Sequence, residues 1–298
     1  MADAVLITGI TGFLGRTLEK KARDHGARCL GVARTVSDDS EHRAIDLSKG
    51  TTEVQNFLSE HYPSLIFHLA GGFESGDFFS ANISTTKNLF QAISGLPGYA
   101  PRVIVLGSAA EYGDLGPEPI RETARERPVN EYGIAKLAQT RMSMLARRRG
   151  QRATVVRLFN VIGPGMSKGL SAARFAREAL AAAAAHRSFI TVGDVNPIRD
   201  FLDLEDVIEG LWAVAHAEKE EEIVNLCSGE PIRIRAVLEE ILRQVGQQLE
   251  VRVDPHLVRG PDDIAVSLGV CALFQQLTGL RFRFNLGDSI GRLLRSLQ

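Results

Sequence analysis

The chain has 298 residues, 44% of them apolar and 24% charged, and a formal net charge of −1. That length can bury a sizeable core in one large or two smaller domains. So nearly neutral a charge offers no global field to attract nucleic acid or an anionic membrane. The blandest run, residues 179–185, is far shorter than the ~20 apolar residues needed to cross a bilayer. Residues 1–8 lack the charged start and long apolar stretch of a signal peptide. The three cysteines, Cys29, Cys227 and Cys271, form no Cys-x-x-Cys pair, which predicts reduced thiols in a cytoplasmic protein without a metal centre.

In chain order, Val5-Leu6-Ile7 running into Thr8-Gly9 predicts a buried first strand. A helix is expected over 13–26, ending at a glycine. Further strands are expected at 28–33, 64–70, 102–107 and 154–158, with helices at 53–61, 82–93 and 132–149. This alternation predicts an α/β fold with a doubly wound parallel sheet. After Gly163-Pro164-Gly165 the pattern changes, with helices expected at 171–186, 201–214 and 234–245. Residues 1–162 thus read as a dinucleotide-binding Rossmann domain, with a returning segment around 200–227. Residues 163–298 read as a smaller mixed α/β substrate-binding domain. The acidic run 218–222 reads as a solvated stretch.

Three positions in this frame carry chemistry. The first is Gly9-Ile10-Thr11-Gly12-Phe13-Leu14-Gly15, between the first strand and the first helix. There Gly9 permits a tight turn, Gly12 lets the backbone approach a pyrophosphate, Gly15 allows close helix–strand packing, and the helix N-terminus faces phosphates. The second is the end of the second strand, where Arg34 replaces the acidic residue that would hold the ribose hydroxyls of NAD. Arg34 could bind a 2′-phosphate, favouring NADP(H), with NAD(H) as the alternative. Asp46-Leu47 reads either as an adenine contact or, for Asp46, as a helix N-cap. The third is Tyr132 and Lys136, at i, i+4 on one helix face. An ammonium beside a phenol favours the phenolate, which would bring the tyrosine toward useful proton transfer. Ser108, after the strand at 102–107, would hydrogen-bond the same reacting oxygen. His68 reads as a packed, hydrogen-bonded side chain rather than a catalytic one.

These residues resemble the extended short-chain dehydrogenase/reductase superfamily almost end to end. The likeness rests on Thr8-Gly9-x-x-Gly12-x-x-Gly15, His68-Leu69-Ala70-Gly71, Asn82, Ser108, Tyr132-x-x-x-Lys136 and the stretch 157–165. The stretches 192–207, 224–229 and 277–290 are most similar to the GDP-4-keto-6-deoxy-D-mannose reductases and sister nucleotide-sugar 4-ketoreductases. The resemblance implies that Thr11, Phe13, Leu14, Leu69, Ala70 and Gly71 join the glycines, Tyr132 and Lys136 around the cofactor. It also implies that Asn160 lies near the nucleotide sugar and that Arg199 and Arg259 bind its diphosphate. Asn160 could instead cap a turn, and Arg199 could instead pair with Asp200 or Asp203. The segment Arg259-Gly260-Pro261-Asp262-Asp263 departs from the branch's Arg-Pro-x-Glu pattern, which leaves the base open.

The residues also bear on the reaction. In related 4,6-dehydratases an acid and a base directly follow the catalytic Ser or Thr, whereas Ala109 and Ala110 stand here and cannot move a proton. Glu111, one place on, reads as structural or as a support behind the site residues. A simple C4 ketone reduction on a nucleotide-linked 4-keto-6-deoxyhexose is therefore expected. The alternatives are a nucleotide-sugar 4-epimerase with tightly held NAD and, more distantly, a non-catalytic dinucleotide sensor. A homodimer is expected through the helices at 82–93 and 132–149, with Met142, Met144 and Leu145 as apolar material there or inside the monomer.

Overall fold

The computed structural model describes residues 4–37, 39–72, 76–246, 248–257 and 264–298. The chain begins with β1 (Ala4–Thr8), α1 (Phe13–Asp24), β2 (Arg28–Ala33), β3 (His42–Ala44), α2 (Thr52–His61) and β4 (Leu65–His68). A single π turn, Ser80–Ser84, leads into α3 (Thr85–Ser94), followed by β5 (Arg102–Ser108), α4 (Glu131–Arg148) and β6 (Arg152–Leu158). Next come β7 (Asn160–Ile162), α5 (Ser171–Ala184), β8 (Phe189–Val192), β9 (Ile198–Arg199), β10 (Phe201–Asp203) and α6 (Leu204–His216). The chain closes with β11 (Ile223–Leu226), β12 (Ile232–Arg233), α7 (Ile234–Val245), β13 (Glu250–Val253), β14 (Val266–Ser267), α8 (Ala272–Thr278) and α9 (Leu286–Arg295).

Seven of these strands form one sheet in the order β11-β6-β5-β4-β1-β2-β3, and every neighbouring pair is parallel. The expected doubly wound α/β fold is therefore present. Both faces are covered, which explains continuous apolar runs such as Val103-Ile104-Val105 in β5. On one face Leu14 and Leu18 of α1 pack with Val207 and Leu211 of α6 and Phe274 of α8. On the other, Phe57 and Leu58 of α2 pack with Leu89, Phe90 and Ile93 of α3 and Met144 of α4. A third core lies outside the sheet, where Ala172, Phe175, Ala176 and Ala179 of α5 meet Val237, Leu238 and Ile241 of α7 and Leu293 of α9. The alanines give α5 a smooth face that lets α7 approach closely.

One expected helix starts later than its pattern suggests. Phe201–Asp203 is extended and pairs in parallel with β7, Phe201 opposite Asn160. The helix begins at Leu204, where Asp203 accepts the Glu205 N–H at 2.8 Å as N-cap. The pull of β7 extends the apolar Phe201-Leu202, and the Asp203 cap with Glu205 and Asp206 behind it is the start signal.

The interior also holds charge. Arg157 on β6 is fully buried; its Nε donates to Glu111 Oε2 at 2.8 Å and its Nη2 to Glu126 Oε1 at 2.8 Å. Its guanidinium lies 4.5 Å from the centre of the Tyr112 ring. Removing one partner of a buried ion pair strands the other charge away from water. Arg157→Met is therefore expected to cost about 3–5 kcal/mol of stability, read from the urea midpoint; a loss below about 1 kcal/mol, the range of exposed pairs, would contradict the pairing.

Candidate active site

A cleft of about 1430 Å³ opens at the C-terminal ends of β1, β4, β5 and β6, where open parallel sheets present ligand sites. It runs from Arg34, Asp46 and Leu47 at one end, past Ser108, Tyr132 and Lys136, to Asn160 and Arg199 at the other. Gly9, Thr11, Gly12, Phe13, Leu14, Gly15, Leu69, Ala70 and Gly71 all line it.

The glycine loop has the shape its residues predict. Gly9 has φ +73°, open to glycine at little cost, and a Cβ there would lie 3.0 Å from the Ala70 nitrogen. Gly15 is needed for a different contact from the expected one: a Cβ would fall 2.3 Å from the Gly9 oxygen, so the loop's own backbone crowds it. Gly12 is the N-cap of α1 and supplies no side-chain cap. The first N–H groups of α1 thus face the cleft without a capping side chain, and the donor set fits the pyrophosphate of a dinucleotide. Arg34 is exposed at the rim. Asp46 accepts Ser48 N–H at 3.0 Å and Ser48 Oγ at 2.7 Å, and the Ser48 hydroxyl holds its carboxyl below the usual range. Asp46 caps no helix, since Thr51 stands at the N-cap of α2. Leu47 is buried, and its carbonyl accepts Asn88 Nδ2 at 2.7 Å.

Ser108 ends β5, while Tyr132 and Lys136 lie in the first turns of α4, whose N-cap Asn130 accepts Gly133 N–H at 2.9 Å. Tyr132 is half-buried, hydrogen-bonded with Ser108, and in edge contact with Phe78, ring centres 6.1 Å apart. Its titration differs from the expected one. Burial pushes the phenol up to about 12, the Ser108 hydrogen bond opposes that rise, and the Glu111 charge adds to it. Lys136 is buried, and its Nζ donates to the Leu106 carbonyl at 2.9 Å and to Gln139 Oε1 at 2.9 Å. Burial brings its ammonium down to about 8, against the attraction of Glu111. The dry surroundings, rather than the neighbouring ammonium, set the state of the phenol.

Glu111 is the residue whose importance the sequence left hidden. Its Oε1 accepts the Ser108 N–H at 2.9 Å, and its Oε2 accepts Thr140 Oγ1 of α4 at 2.8 Å beside Arg157. It faces inward, so the cleft wall after Ser108 is Ala109 and Ala110. At the far end, Asn160 donates Nδ2 to the Asp200 carbonyl at 2.9 Å and lines the cleft instead of capping a turn. Arg199 Nη1 donates to the Ile198 carbonyl at 2.9 Å. The Asp200 carboxylate takes Ser228 N–H and Oγ–H, both at 2.7 Å, Gly229 N–H at 2.8 Å and Gly269 N–H at 3.3 Å. Arg259 lies outside the described residues. His68 is packed and hydrogen-bonded as expected. Among the described residues no group of His, Cys, Asp and Glu is placed to hold a metal, and no helix is long and apolar enough to cross a membrane.

The profile of the NAD dependent epimerase/dehydratase family matches residues 5–227. The chain is 29% identical to dTDP-6-deoxy-L-talose 4-dehydrogenase (NAD(P)(+)) of Kitasatospora kifunensis, over 98% of this chain and 92% of that one. It is 28% identical to GDP-6-deoxy-D-mannose reductase of Pseudomonas aeruginosa, over 99% and 97% respectively. It is 26% identical to UDP-glucose 4-epimerase of Streptomyces lividans, over 90% and 89%. The solved structure of MoeE5 in complex with UDP-glucuronic acid and NAD shares the fold, with a TM-score of 0.86 at 23% identity over 99% of this chain and 98% of that one. The chain belongs to the NAD dependent epimerase/dehydratase family, and so to the NAD(P)-dependent enzymes that modify nucleotide sugars.

Proposed function

We propose that the protein reduces the C4 ketone of a nucleotide-linked 4-keto-6-deoxyhexose, with NADP(H) preferred. In this reading residues 1–162 and the returning segment around 200–227 hold the cofactor, and 163–298 hold the nucleotide sugar. The observation that carries it is the wall after Ser108: Ala109 and Ala110 line the cleft, while the next carboxylate, Glu111, is turned into the protein and tied to Arg157. Proton abstraction at C5, which a dehydratase needs, has no base there. The C4 relatives named above, a talose 4-dehydrogenase and a mannose reductase, support the same class of reaction.

The residues divide the work as follows. A bound reduced nicotinamide supplies the hydride. Tyr132 remains a phenol at neutral pH, because burial holds its proton, and it gives that proton to the oxygen developing at C4. The Ser108 hydroxyl hydrogen-bonds the same oxygen, where charge appears. Lys136 has three N–H donors; two are taken by Leu106 and Gln139, which leaves one for the nicotinamide ribose. Arg34 contacts the 2′-phosphate. Arg199, Asn160 and Arg259 hold the diphosphate and sugar, charge-assisted bonds from the arginines being the strong ones. A 4-epimerase would use the same groups, and the likeness to the Streptomyces enzyme is the observation in its favour. It would hold NAD through turnover, whereas Arg34 stands where an NAD-specific site needs an acid.

The purified protein, given NADPH and GDP- or dTDP-4-keto-6-deoxyhexose, is expected to consume the reduced cofactor faster than with NADH. Tyr132→Phe should lower kcat by ~10²–10⁴-fold, the usual worth of a positioned acid. No oxidation with any of these sugars, or release of stoichiometric NAD on denaturation, would reject the reductase.

The kcat/KM of reduction is expected to fall as pH rises through about 8, where the buried Lys136 ammonium loses its proton. Tyr132, up at about 12, adds no limb in the neutral range. A profile flat across that region would remove Lys136 from the catalytic set.

We also propose a homodimer through α3 and α4. Ile134 and Leu145, three turns apart on α4, are 46% and 38% exposed, whereas Met144 is 6% exposed and belongs to the monomer's own core. Light scattering should give twice the 32.5 kDa chain mass, and Leu145→Glu should halve it; a monomeric wild type would refute the pairing.

A further inference from the structure

Behind the catalytic helix a line of buried polar groups runs from Lys136 to the first cofactor loop. Lys136 Nζ donates to Gln139 Oε1, and Gln139 Nε2 donates to Thr86 Oγ1 at 2.9 Å. Thr86 Oγ1 lies 2.9 Å from His68 Nε2, and His68 Nδ1 lies 2.8 Å from Thr8 Oγ1. Thr8 Oγ1 accepts the Ala70 N–H at 3.1 Å. Thr8, His68, Thr86, Gln139 and Lys136 are all buried, so no bulk water substitutes for a missing partner.

The direction of every bond follows from one end. An ammonium only donates, so the Gln139 amide must turn its oxygen to Lys136 and its nitrogen to Thr86. The Thr86 hydroxyl spends its own proton on the Asn82 carbonyl at 2.7 Å, inside the π turn Ser80–Ser84. Thr86 can then only accept from His68, which puts the imidazole proton on Nε2. His68 Nδ1 is left as an acceptor, and Thr8 donates to it while accepting from Ala70. Each proton in the line is donated once, and no donor faces a donor.

We infer that His68, Thr86 and Gln139 form a positioning relay that fixes Lys136 relative to the Thr8-Gly9 and Leu69–Gly71 loops, with His68 locked as the neutral Nε2–H tautomer. The relay rests on the catalytic reading of Lys136 given above. Two groups are chemically inert at neutral pH by construction: the amide does not titrate, and burial plus the Lys136 charge hold the imidazole down at about 3. The relay therefore transmits orientation and not protons. One end aims the ammonium into the cleft, and the other holds together two loops that line it. Glu111 is the charged group that also acts on Lys136, so loosening the amide acceptor leaves the ammonium with less to stabilise it.

The test is Thr86→Val, which keeps the shape and removes the hydroxyl, with Thr86→Ser as the conservative variant. Orphaning two buried donors should lower kcat ~10-fold or more, with the KM for the keto sugar little changed and the alkaline limb shifted to lower pH. Thr86→Ser should restore both. A folded Thr86→Val protein with the wild-type kcat and limb, or a serine variant as impaired as the valine one, overturns the relay. A second readout needs no variant: imidazole nitrogen NMR of the wild-type protein with NADP(H) bound, with His68 assigned through the contact of its ring proton to the Thr86 methyl. A proton on Nε2 that persists unchanged from about pH 5 to pH 9, across the ordinary histidine range, supports the relay. A proton on Nδ1, or a ring that becomes cationic in that range, overturns it. Should Lys136→Met keep full activity, the catalytic reading fails by itself, and the imidazole spectrum still reports on the relay.

Discussion

The carboxylate of Glu111 holds three elements of this molecule in register. It sits just past β5, receives the guanidinium of Arg157 from β6 and the hydroxyl of Thr140 from α4, and takes the Ser108 N–H with its other oxygen. A charge so deep is costly unless paired, and here both oxygens have donors, three in all, one of them the Arg157 guanidinium. The result is a rigid corner. Ser108 cannot slide along β5, and α4 cannot rotate, without breaking a charged hydrogen bond away from water. Lys136 and Tyr132, about one and two turns before Thr140 on α4, inherit that placement.

The same dryness acts in opposite senses on the two titratable groups of the site. Burial penalises whichever form is charged, so it raises the phenol and lowers the ammonium. At neutral pH the outcome is a protonated Tyr132 beside a still-charged Lys136. That pairing suits a group that must give a proton to a carbonyl oxygen and a group that must hold a ribose. The environment of α4 thus sets the protonation of both groups.

The far end of the cleft is organised by an analogous device. Asp200 lies between β9 and β10 and collects four hydrogen bonds from Ser228, Gly229 and Gly269, while its carbonyl receives Asn160. Three stretches far apart in sequence are thereby drawn to one wall. Arg199, immediately before Asp200, is carried to the cleft by that arrangement. Two buried carboxylates, Glu111 and Asp200, therefore shape the two halves of the site without lining it.

The sequence by itself determined the parallel sheet, the positions of five of its seven strands and the glycine turn after the first. Those features are local: an apolar run, a glycine turn and a helix start lie within a few residues of one another. The Tyr132–Lys136 spacing is also local, since one helix turn relates them. Non-local facts were out of its reach. Phe201–Asp203 reads as the start of a helix until β7 is there to pair with it. Gly15 reads as a packing residue for a strand until the Gly9 carbonyl is seen against it. Met144 and Leu145 are equally apolar in sequence, and only the sheet decides that one is core and the other surface. Above all, the states of Tyr132 and Lys136 depend on how much water the assembled cleft excludes, and burial is a property of the folded chain, not of residue identity.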